Sequence, residues 1–244
     1  MSEPPTPRLS VVVPIHDEVD SIEPLYREIF ERLGCLPGGV ELLVVDDGSR
    51  DGGLETLRKI AAFDRRVRVL ALDRQWGQSV ALEAGFRAAR GEITATLDGD
   101  LQNDPADIPR LMAHLDRFDV INGVRTNRQD GWLRRVSSRI GNGFRNWLTG
   151  ESVTDIGCSL RVMRTESLRG VKLYRGMHRF LPTLLRLQGA RVTEMPVNHR
   201  PRRYGRSKYG IKNRLFVGIA DVLAVRWMQS RHARYRVDEL ESGE

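Results

Sequence analysis

Short apolar runs alternate with amphipathic stretches along the first half of the chain. The runs LSVVVPI and VELLVV are rich in β-branched residues and have the length of buried strands. After the first run, apolar residues recur at helical spacing at Ile22, Leu25 and Ile29. Ser21 is placed to cap this helix. The pattern predicts strands at 9–15, 40–45, 67–72, 93–97 and 119–122, and helices at 21–33, 51–63, 77–90 and 106–117.

The alternation of strands and helices over the first 123 residues predicts an α/β fold. We expect a single, mostly parallel central sheet with helices on both faces, because helical crossovers join parallel strands. The chain has 244 residues and is 40% hydrophobic, which is enough for one such domain and a smaller appendage. It contains no GxGxxG after the first strand and no GxxxxGK[ST], which disfavours dinucleotide-binding Rossmann enzymes and P-loop NTPases.

The stretch ITATLDGDLQNDP, from Ile93 to Pro105, joins a predicted buried strand to a cluster of polar residues. Asp98 and Asp100 are separated by one glycine, so both carboxylates can turn toward one point at the carboxyl end of the strand. Oxygen ligands in such a place suit Mg²⁺ or Mn²⁺ together with substrate phosphates. A polar turn before the helix that starts near Pro105 is the alternative interpretation.

Acidic residues also follow the first two strands. Asp17 and Glu18 come after the first strand, and Asp46 and Asp47 end the second. Carboxylates accept hydrogen bonds from ribose hydroxyls and base N–H groups, or hold a cation. A single acidic residue of this kind is most often a turn or a helix cap. Three sets at the same sheet edge suggest a nucleotide that lies across the edge with its diphosphate toward a metal.

The chain is basic, with a net charge of +7 and a pI near 9.9. From Arg191 to Arg236, twelve Arg and Lys residues face only Glu194 and Asp221. An anionic surface, a nucleic acid or a phosphorylated substrate would each explain this charge, and so would a solvated basic face. Basic residues without a stacking set of aromatics make nucleic-acid binding the weaker interpretation, and we expect no nucleic-acid partner.

The basic segment contains an apolar helix that is predicted to begin at Ile211. No run approaches the roughly 20 apolar residues of a membrane-spanning helix, and the N-terminus lacks a secretory signal core. Two isolated cysteines, Cys35 and Cys158, fit a reducing compartment. The helix is expected to lie on a lipid surface, on the protein core or on a partner membrane subunit. Its predicted stripe comprises Ile211, Leu215, Ile219, Val222 and Leu223, widened by Phe216, Val217 and Trp227, with Lys208, Lys212, Arg214, Arg226 and Arg231 beside it.

Four motifs carry a resemblance to a known family. In order and spacing, VVVPIHDE, ELLVVDDGSRDG, RQWGQSVALEAGFRAARGE and LDGDLQNDP resemble the family 2 glycosyltransferases of GT-A fold. In the second half, INGVRTNRQDGWLRRVSSR, TDIGCSLRVMR and NHRPRRYGRSKYG resemble the polyprenyl-phosphate glycosyltransferases, most closely their aminoarabinose branch. The resemblance covers about residues 8 to 228. Several bacterial members continue into transmembrane helices, whereas this sequence ends at Glu244, so the resemblance leaves the mode of membrane attachment open.

The resemblance implies an inverting transfer from a UDP- or GDP-linked sugar to a polyprenyl phosphate, with Mg²⁺ or Mn²⁺. It implies a GT-A domain at 8–205 and a basic amphipathic C-terminal segment at 206–236, with flexible tails at 1–7 and 237–244. It also implies a cytoplasmic protein that is peripheral at the cytoplasmic face of the membrane, attached directly or through a membrane-embedded subunit.

Family positions imply roles for individual residues. Asp155 matches a recurrent acidic position with no role that we can derive, and Gln75 and Trp76 replace the more usual Asn-Phe or Asn-Tyr before glycine. The implied nucleoside pocket is Pro14, Glu18 and Asp46; Asp98 faces the donor; Asp100 and Gln102 ligate the metal; Arg125, Arg134 and Ser138 receive the acceptor phosphate; and Arg202, Ser207 and Lys208 close over the donor diphosphate.

The implied chemistry agrees with the residue types. A phosphate monoester is largely dianionic at neutral pH, so it is already a nucleophile and needs no Ser-His pair or strong base. The five histidines form no HExxH pattern, and we interpret them as structural or surface groups, His16 and His199 least firmly. Two other hypotheses are a transferase with a soluble or glycan acceptor and a catalytically inactive binding subunit. The acceptor-phosphate arginines disfavour the first, and the intact acidic and basic motif residues disfavour the second.

Overall fold

The computed structural model describes residues 6–126, 143, 146–151, 153–202 and 214–233. Its elements agree with the predicted alternation through the fifth strand and then add two further strands. The strands are β1 (Leu9–Ile15), β2 (Val40–Asp46), β3 (Val67–Ala71), β4 (Ile93–Thr96), β5 (Val120–Arg125), β6 (Arg161–Arg164) and β7 (Val192–Val197). The α-helices described are α1 (Val19–Leu33), α2 (Gly53–Phe63), α3 (Gln78–Ala88), α4 (Ile108–Met112), α5 (Leu181–Leu187) and α6 (Arg214–Arg231), with short 3₁₀ turns at Pro105–Asp107, Thr165–Leu168 and Met177–Phe180.

The strands form one sheet in the order β3-β2-β1-β4-β6-β5-β7. β1 is parallel to β2 and β4, and β2 is parallel to β3. β6 runs antiparallel between β4 and β5, and β7 is a parallel edge strand beside β5. The α/β class with a mostly parallel central sheet is therefore confirmed. β6 and β7 were not predicted from the sequence.

Apolar layers cover both faces of the sheet, which explains why β1 is apolar at every position except Ser10. Val11 and Val13 point into a layer with Ile22 and Ile29 of α1. Val12 points the other way, into a layer with Phe86 of α3. All seven residues of β1 are buried, so this strand is the centre of the core.

Two predicted helix boundaries were wrong for local reasons. α1 begins at Val19, and Ser21 lies inside its first turn, where its hydroxyl donates to the Glu18 carbonyl at 2.8 Å. The Val19 N–H instead donates to the Asp51 carboxylate at 2.8 Å, so a residue 32 positions away caps the helix. The helix predicted at 106–117 is a 3₁₀ turn followed by the five-residue α4.

One part of the apolar stripe predicted for the C-terminal helix α6 packs against the protein, and another part is exposed. Val222 and Val225 are buried against Phe180, with Leu148 and Leu184 packed alongside. Leu223 and Trp227 remain exposed, by 53% and 63%. Ile211 and the side chains of residues 214–217 lie outside the described residues, so the predicted amphipathic character of this segment stays a prediction. No helix in the described ranges is long and apolar enough to cross a membrane.

Gly85 lets α3 pack closely on the sheet, and its substitution should destabilise the fold. A Cβ at this position would lie 2.4 Å from Val12 Cγ1 and 3.3 Å from Val45 Cγ2. Gly85→Ala should therefore lower the free energy of unfolding by about 1–3 kcal/mol, although alanine favours a helix by about 1 kcal/mol over glycine. Urea denaturation would measure the change.

Gly218→Ala is the matched control, because a Cβ there has no described heavy atom within 4 Å. This substitution in α6 should be neutral or stabilise by up to about 1 kcal/mol. A Gly85→Ala protein as stable as the Gly218→Ala protein would contradict the packing argument.

Candidate functional site

The acidic residues predicted to converge do lie at one edge of the sheet. Asp46 is the last residue of β2 and is paired with Ile15, the last residue of β1. Asp98 and Asp100 follow the neighbouring strand β4. The carboxyl ends of parallel strands are where open α/β sheets bind ligands, so this edge is the candidate active site.

Asp98 is held by side chains from three parts of the chain. Gln78 Nε2 donates to Asp98 Oδ1 at 2.8 Å, and the Asp98 N–H donates to Asn103 Oδ1 at 3.2 Å. The hydroxyl of Ser159 donates to Asn103 Oδ1, at 2.7 Å, so Ser159 holds the amide oxygen that accepts from the Asp98 N–H. Desolvation, followed by the charge of Asp100, raises the pKa of the Asp98 carboxyl to about 6. Keeping Asp98 ionised at this buried position beside Asp100 therefore costs free energy.

Asp100 is almost fully buried, and a guanidinium group compensates its charge. Arg202 Nη2 donates to Asp100 Oδ2 at 2.6 Å, while Arg202 Nη1 lies 3.7 Å from Glu18 Oε1. Gly99 makes this arrangement possible, because a Cβ at that position would lie 2.5 Å from Glu18 Oε2. Gly99 therefore allows the Glu18 carboxylate to approach the backbone between the two aspartates.

Asp100 and Gln102 fit a divalent metal site by their donor atoms. The Gln102 N–H donates to Asp100 Oδ1 at 3.1 Å, so the two side chains share one turn. A carboxylate and an amide oxygen are hard ligands, and Mg²⁺ typically takes its remaining ligands from water and substrate phosphates. The guanidinium of Arg202 against Asp100 shows that a cation is accommodated there. No cluster of three or more His, Cys, Asp or Glu residues suited to a metal occurs within the described ranges.

His199 lies beside this turn, which the sequence analysis did not anticipate. A β-bridge joins Asn103 to His199, and the Arg200 N–H donates to the Gln102 carbonyl at 2.9 Å. The bridge brings His199 Nε2 to 3.5 Å from Gln102 Nε2. Nothing in the spacing of His199 pointed to this neighbour, because the contact depends on pairing between segments almost 100 residues apart.

Asp46 and Asp47 are neighbours with different surroundings. Asp47 Oδ1 accepts from the Trp76 N–H at 2.7 Å and Asp47 Oδ2 from the Gly77 N–H at 2.8 Å, so Asp47 anchors the loop before α3. Asp46 Oδ2 accepts from the Ser49 N–H at 3.2 Å. Asp46 Oδ1 is buried and has no hydrogen-bond partner in the described structure. A buried carboxylate oxygen without a partner is costly, which suggests a ligand donor at this position.

Arg125 forms a two-point ion pair with Asp155. Arg125 Nε and Nη2 each lie 2.8 Å from one of the Asp155 carboxylate oxygens, and the Arg125 N–H donates to Asp155 Oδ2 at 3.2 Å. Asp155, for which no role could be derived from the sequence, therefore orients Arg125. Arg134, Ser138, Ser207 and Lys208 lie outside the described residues, so their predicted roles stay predictions.

Arg161 is a further cation that the sequence analysis missed. Its side chain is fully buried at the start of β6, where Nε donates to Asn122 Oδ1 at 2.9 Å. Burial lowers the pKa of the Arg161 guanidinium, and its positive charge stabilises the Asp98 and Asp155 carboxylates. A buried arginine is usually paired with acidic groups, but the partner could not be identified before the position of β6 was known.

A cavity of about 350 Å³ lies between residues 75–79 and residues 175–179. Gln78 lines it and also contacts Asp98, which places the cavity beside the carboxylates. His178 Nδ1 lies 2.8 Å from the Ser79 hydroxyl at its wall. Burial, followed by the charges of Arg179 and Arg161, lowers the pKa of His178 to about 3, so this imidazole is neutral.

Comparisons with known proteins agree with this geometry. The family model "Glycosyl transferase family 2" matches residues 10–171. The chain is 41% identical over 232 residues to dodecaprenyl-phosphate galacturonate synthase of Rhizobium johnstonii, covering 93% of this chain and 68% of the relative. It is 38% identical over 205 residues to undecaprenyl-phosphate 4-deoxy-4-formamido-L-arabinose transferase of Edwardsiella ictaluri, covering 83% of this chain and 63% of the relative. The chain thus spans about two thirds of the length of these relatives.

Solved structures share the fold at lower identity. Glucosyl-3-phosphoglycerate synthase from Mycobacterium tuberculosis, in complex with Mn²⁺, UDP and phosphoglyceric acid, has a TM-score of 0.68 and 20% identity, covering 93% of this chain and 80% of that chain. A mannosyltransferase from Pyrobaculum calidifontis, in complex with GDP-Man and Mn²⁺, has a TM-score of 0.64 and 19% identity, covering 94% and 65%. These neighbours support the predicted GT-A-like fold.

The neutral state of His178 should make stability depend on pH. The folded imidazole has a pKa of about 3, whereas the ordinary value is 6.5. The unfolded chain therefore binds an extra proton between these values, so the contribution of neutral His178 is complete above pH 6.5 and falls as the pH drops toward 3. At pH 5 the loss should be about 2 kcal/mol relative to pH 7. Urea denaturation of the wild type and His178→Gln across this range would show a weaker pH dependence in the variant.

His232→Gln is the control, because His232 is exposed near the end of α6. Its pH dependence should match the wild type. If His178→Gln and His232→Gln had the same pH dependence as the wild type, His178 would not be the group responsible.

Proposed function

Because this chain belongs to glycosyl transferase family 2, we propose that it transfers a sugar, with inversion, from a nucleotide-sugar donor to a polyprenyl phosphate. The observation that carries the proposal is the pair of carboxylates of Asp98 and Asp100 at the same sheet edge as the buried oxygen of Asp46, which has no described hydrogen-bond partner. An acidic set of this kind fits a donor that brings N–H or hydroxyl donors at one end and a metal-bound diphosphate at the other.

The nucleoside binds at the carboxyl ends of β1 and β2. Asp46 Oδ1 accepts a hydrogen bond from a base N–H or a ribose hydroxyl, which removes the cost of its unpartnered burial. Pro14 and Glu18 complete this pocket from β1 and the start of α1. A UDP- or GDP-linked sugar can supply such donors, and either is consistent with these groups.

The donor diphosphate lies over Asp100 and Gln102. When Mg²⁺ or Mn²⁺ is bound to these two side chains, it offsets the diphosphate charge that grows as the bond to the anomeric carbon breaks. Arg202 already lies against Asp100 at 2.6 Å, so it can turn from this carboxylate to a phosphate oxygen. Ser207 and Lys208 follow in the same segment and are proposed to close over the donor.

The acceptor phosphate binds at Arg125, with Arg134 and Ser138. Both relatives are named for a polyprenyl phosphate, whereas the sugars in their names differ, so the acceptor is the feature they share. Asp155 fixes the Arg125 fork through two contacts of 2.8 Å. A dianionic phosphate oriented in this way attacks the anomeric carbon without a general base.

The protein is proposed to act as a peripheral protein at the cytoplasmic face of a membrane, attached directly or through a membrane-embedded subunit. Exposed Leu223 and Trp227 lie on α6 with the exposed basic residues Arg226 and Arg231. Apolar and basic groups together bind anionic lipid surfaces, and each basic group contributes about 1 kcal/mol. Exposed Trp147 lies in the neighbouring helical stretch at 146–149, whose Thr149 carbonyl accepts from Gln229 at 2.9 Å.

A donor screen tests the proposal directly. Purified protein, undecaprenyl phosphate and Mg²⁺ or Mn²⁺ would be incubated with radiolabelled UDP- and GDP-sugars, and label in the lipid fraction would be measured. Transfer should require the divalent metal and a phosphorylated polyprenol. Transfer to a soluble glycan, with none to the lipid, would contradict the acceptor assignment.

Asp100→Asn should retain the fold and lower lipid transfer by about 100-fold or more, because a lost metal ligand leaves diphosphate charge uncompensated. The amide keeps the size of the carboxylate, so packing around this buried position is preserved. Initial rates in the lipid assay would measure the loss, and Asp20→Asn, an exposed change on α1, should leave the rate unchanged. Near-wild-type turnover of Asp100→Asn without added metal would refute the metal assignment.

Direct membrane attachment predicts that Leu223→Ser with Trp227→Ser weakens vesicle binding. Removing two exposed apolar groups from a lipid contact should cost about tenfold or more in affinity. Flotation with vesicles of phosphatidylethanolamine and phosphatidylglycerol would measure it. Phe63→Ser, which changes a residue 89% exposed at the end of α2, should have no effect. Wild-type binding by the double variant would exclude attachment through this part of α6.

A further inference from the structure

The charged side chains that line the cavity beside Asp98 are all positive. Its wall at 175–179 contributes two arginines, Arg175 and Arg179, and no carboxylate lines it among the residues that the structure describes. His178 adds no charge, since it is neutral at physiological pH. The remaining lining groups from 75–79 are uncharged. The cavity is therefore positively charged although it adjoins an acidic site.

Neither arginine forms an ion pair within 4.0 Å with a carboxylate of the described residues. Arg175 Nε donates to the Trp76 carbonyl at 3.2 Å, which fixes the stem of its guanidinium and leaves the Nη groups for other contacts. Asp221 of α6 packs so closely on Gly176 that a Cβ there would be 2.5 Å from Asp221 Oδ2. Burial raises the pKa of Asp221, and the charge of Arg179 partly opposes that rise, so Arg179 has a distant counter-charge but no direct carboxylate contact.

The cavity lies where the sugar of the proposed donor would bind. Gln78 lines the cavity and donates to Asp98 at 2.8 Å, so a single side chain separates the cavity from the carboxylate proposed to face the donor. The diphosphate and the acceptor phosphate have other cationic partners, Arg202 and Arg125. A positively charged cavity at the sugar end therefore needs an anion other than these phosphates.

We propose that this cavity holds the donor's sugar and selects a uronic acid, whose carboxylate is bound by Arg175 and Arg179. The proposal rests on the proposed function, since it names the substrate class of the same site. Guanidinium groups bind carboxylates through paired, charge-assisted hydrogen bonds. A neutral hexose offers only a hydroxymethyl group at the same carbon and brings neither arginine a directly bonded carboxylate. The preference for a uronic acid over a neutral sugar therefore arises because only the uronic acid brings a carboxylate to the two arginines.

Matched donor pairs test the selectivity. The pairs are UDP-galacturonate with UDP-galactose, UDP-glucuronate with UDP-glucose, and GDP-mannuronate with GDP-mannose, and each pair differs only in the group at C6. Calorimetry would measure binding in the presence of Mg²⁺, and the lipid assay would measure kcat/KM. For at least one pair the uronate should be favoured by about 10- to 100-fold, the usual effect of a charge-assisted hydrogen bond.

Arg179→Gln and Arg175→Gln identify the groups responsible. Each should lower affinity and kcat/KM for the favoured uronate by about tenfold or more and change the neutral partner by less than about threefold. Arg58→Gln, which removes an exposed arginine from α2, should change neither. A merely structural effect of Arg179→Gln would weaken both donors of a pair equally, and so would a role in binding a phosphate. Either result would overturn the proposal.

The outcomes separate this inference from the proposed function. Transfer to the polyprenyl phosphate with no preference for uronates would refute the acidic-sugar subsite alone. Absence of transfer from every donor would refute the proposed reaction, and the calorimetric comparison of uronate with neutral donor would still decide the subsite.

Discussion

Two carboxylates are held one residue apart at a buried position, and the cost of their burial and mutual repulsion is the constraint on which the site depends. Asp98 and Asp100 follow β4 at a largely desolvated edge, where burial, followed by the charge of Asp100, raises the pKa of Asp98 to about 6. Cations from the second half of the chain offset this repulsion. Arg202 contacts Asp100 directly, and the charges of Arg161 and Arg125 stabilise Asp98. The acidic half of the site is therefore compatible with folding only when the basic half is in place.

The sheet order explains how the two halves meet. β6 runs antiparallel between β4 and β5, which places Arg161 opposite Thr96, two residues before Asp98. β5 ends at Arg125, and the segment after β7 pairs with the Asp-Gly-Asp turn through the bridge from Asn103 to His199. One inserted antiparallel strand and one added edge strand thus bring the cations to the carboxylates. The same cations suit a reaction in which both substrates carry phosphate groups.

Much of the fold could be predicted from sequence because its signals are local. β1 has the predicted bounds, because a short run of mostly apolar, β-branched residues is typical of a strand that is covered on both faces. The convergence of Asp46, Asp98 and Asp100 followed from the rule that parallel strands end at one edge. β6 was missed because RVMR is short and half charged. The roles of Gln78, Arg161 and His199 depend on contacts between distant segments, which residue spacing does not reveal.

The acidic residues of the motifs include some that stabilise loops and others that face the ligand. These two roles can be distinguished only when the hydrogen-bond partners of each carboxylate are known. Asp47 is satisfied by two backbone N–H groups of the loop before α3, and Asp155 by the fork of Arg125. Asp46 keeps a buried oxygen without a described partner. Burying a polar atom without a hydrogen-bond partner destabilises the folded state. Folded proteins keep such an atom only where another interaction, such as ligand binding, compensates for this cost. Satisfied carboxylates therefore shape the site, and unsatisfied groups define where the donor must contribute its own charges and hydrogen bonds.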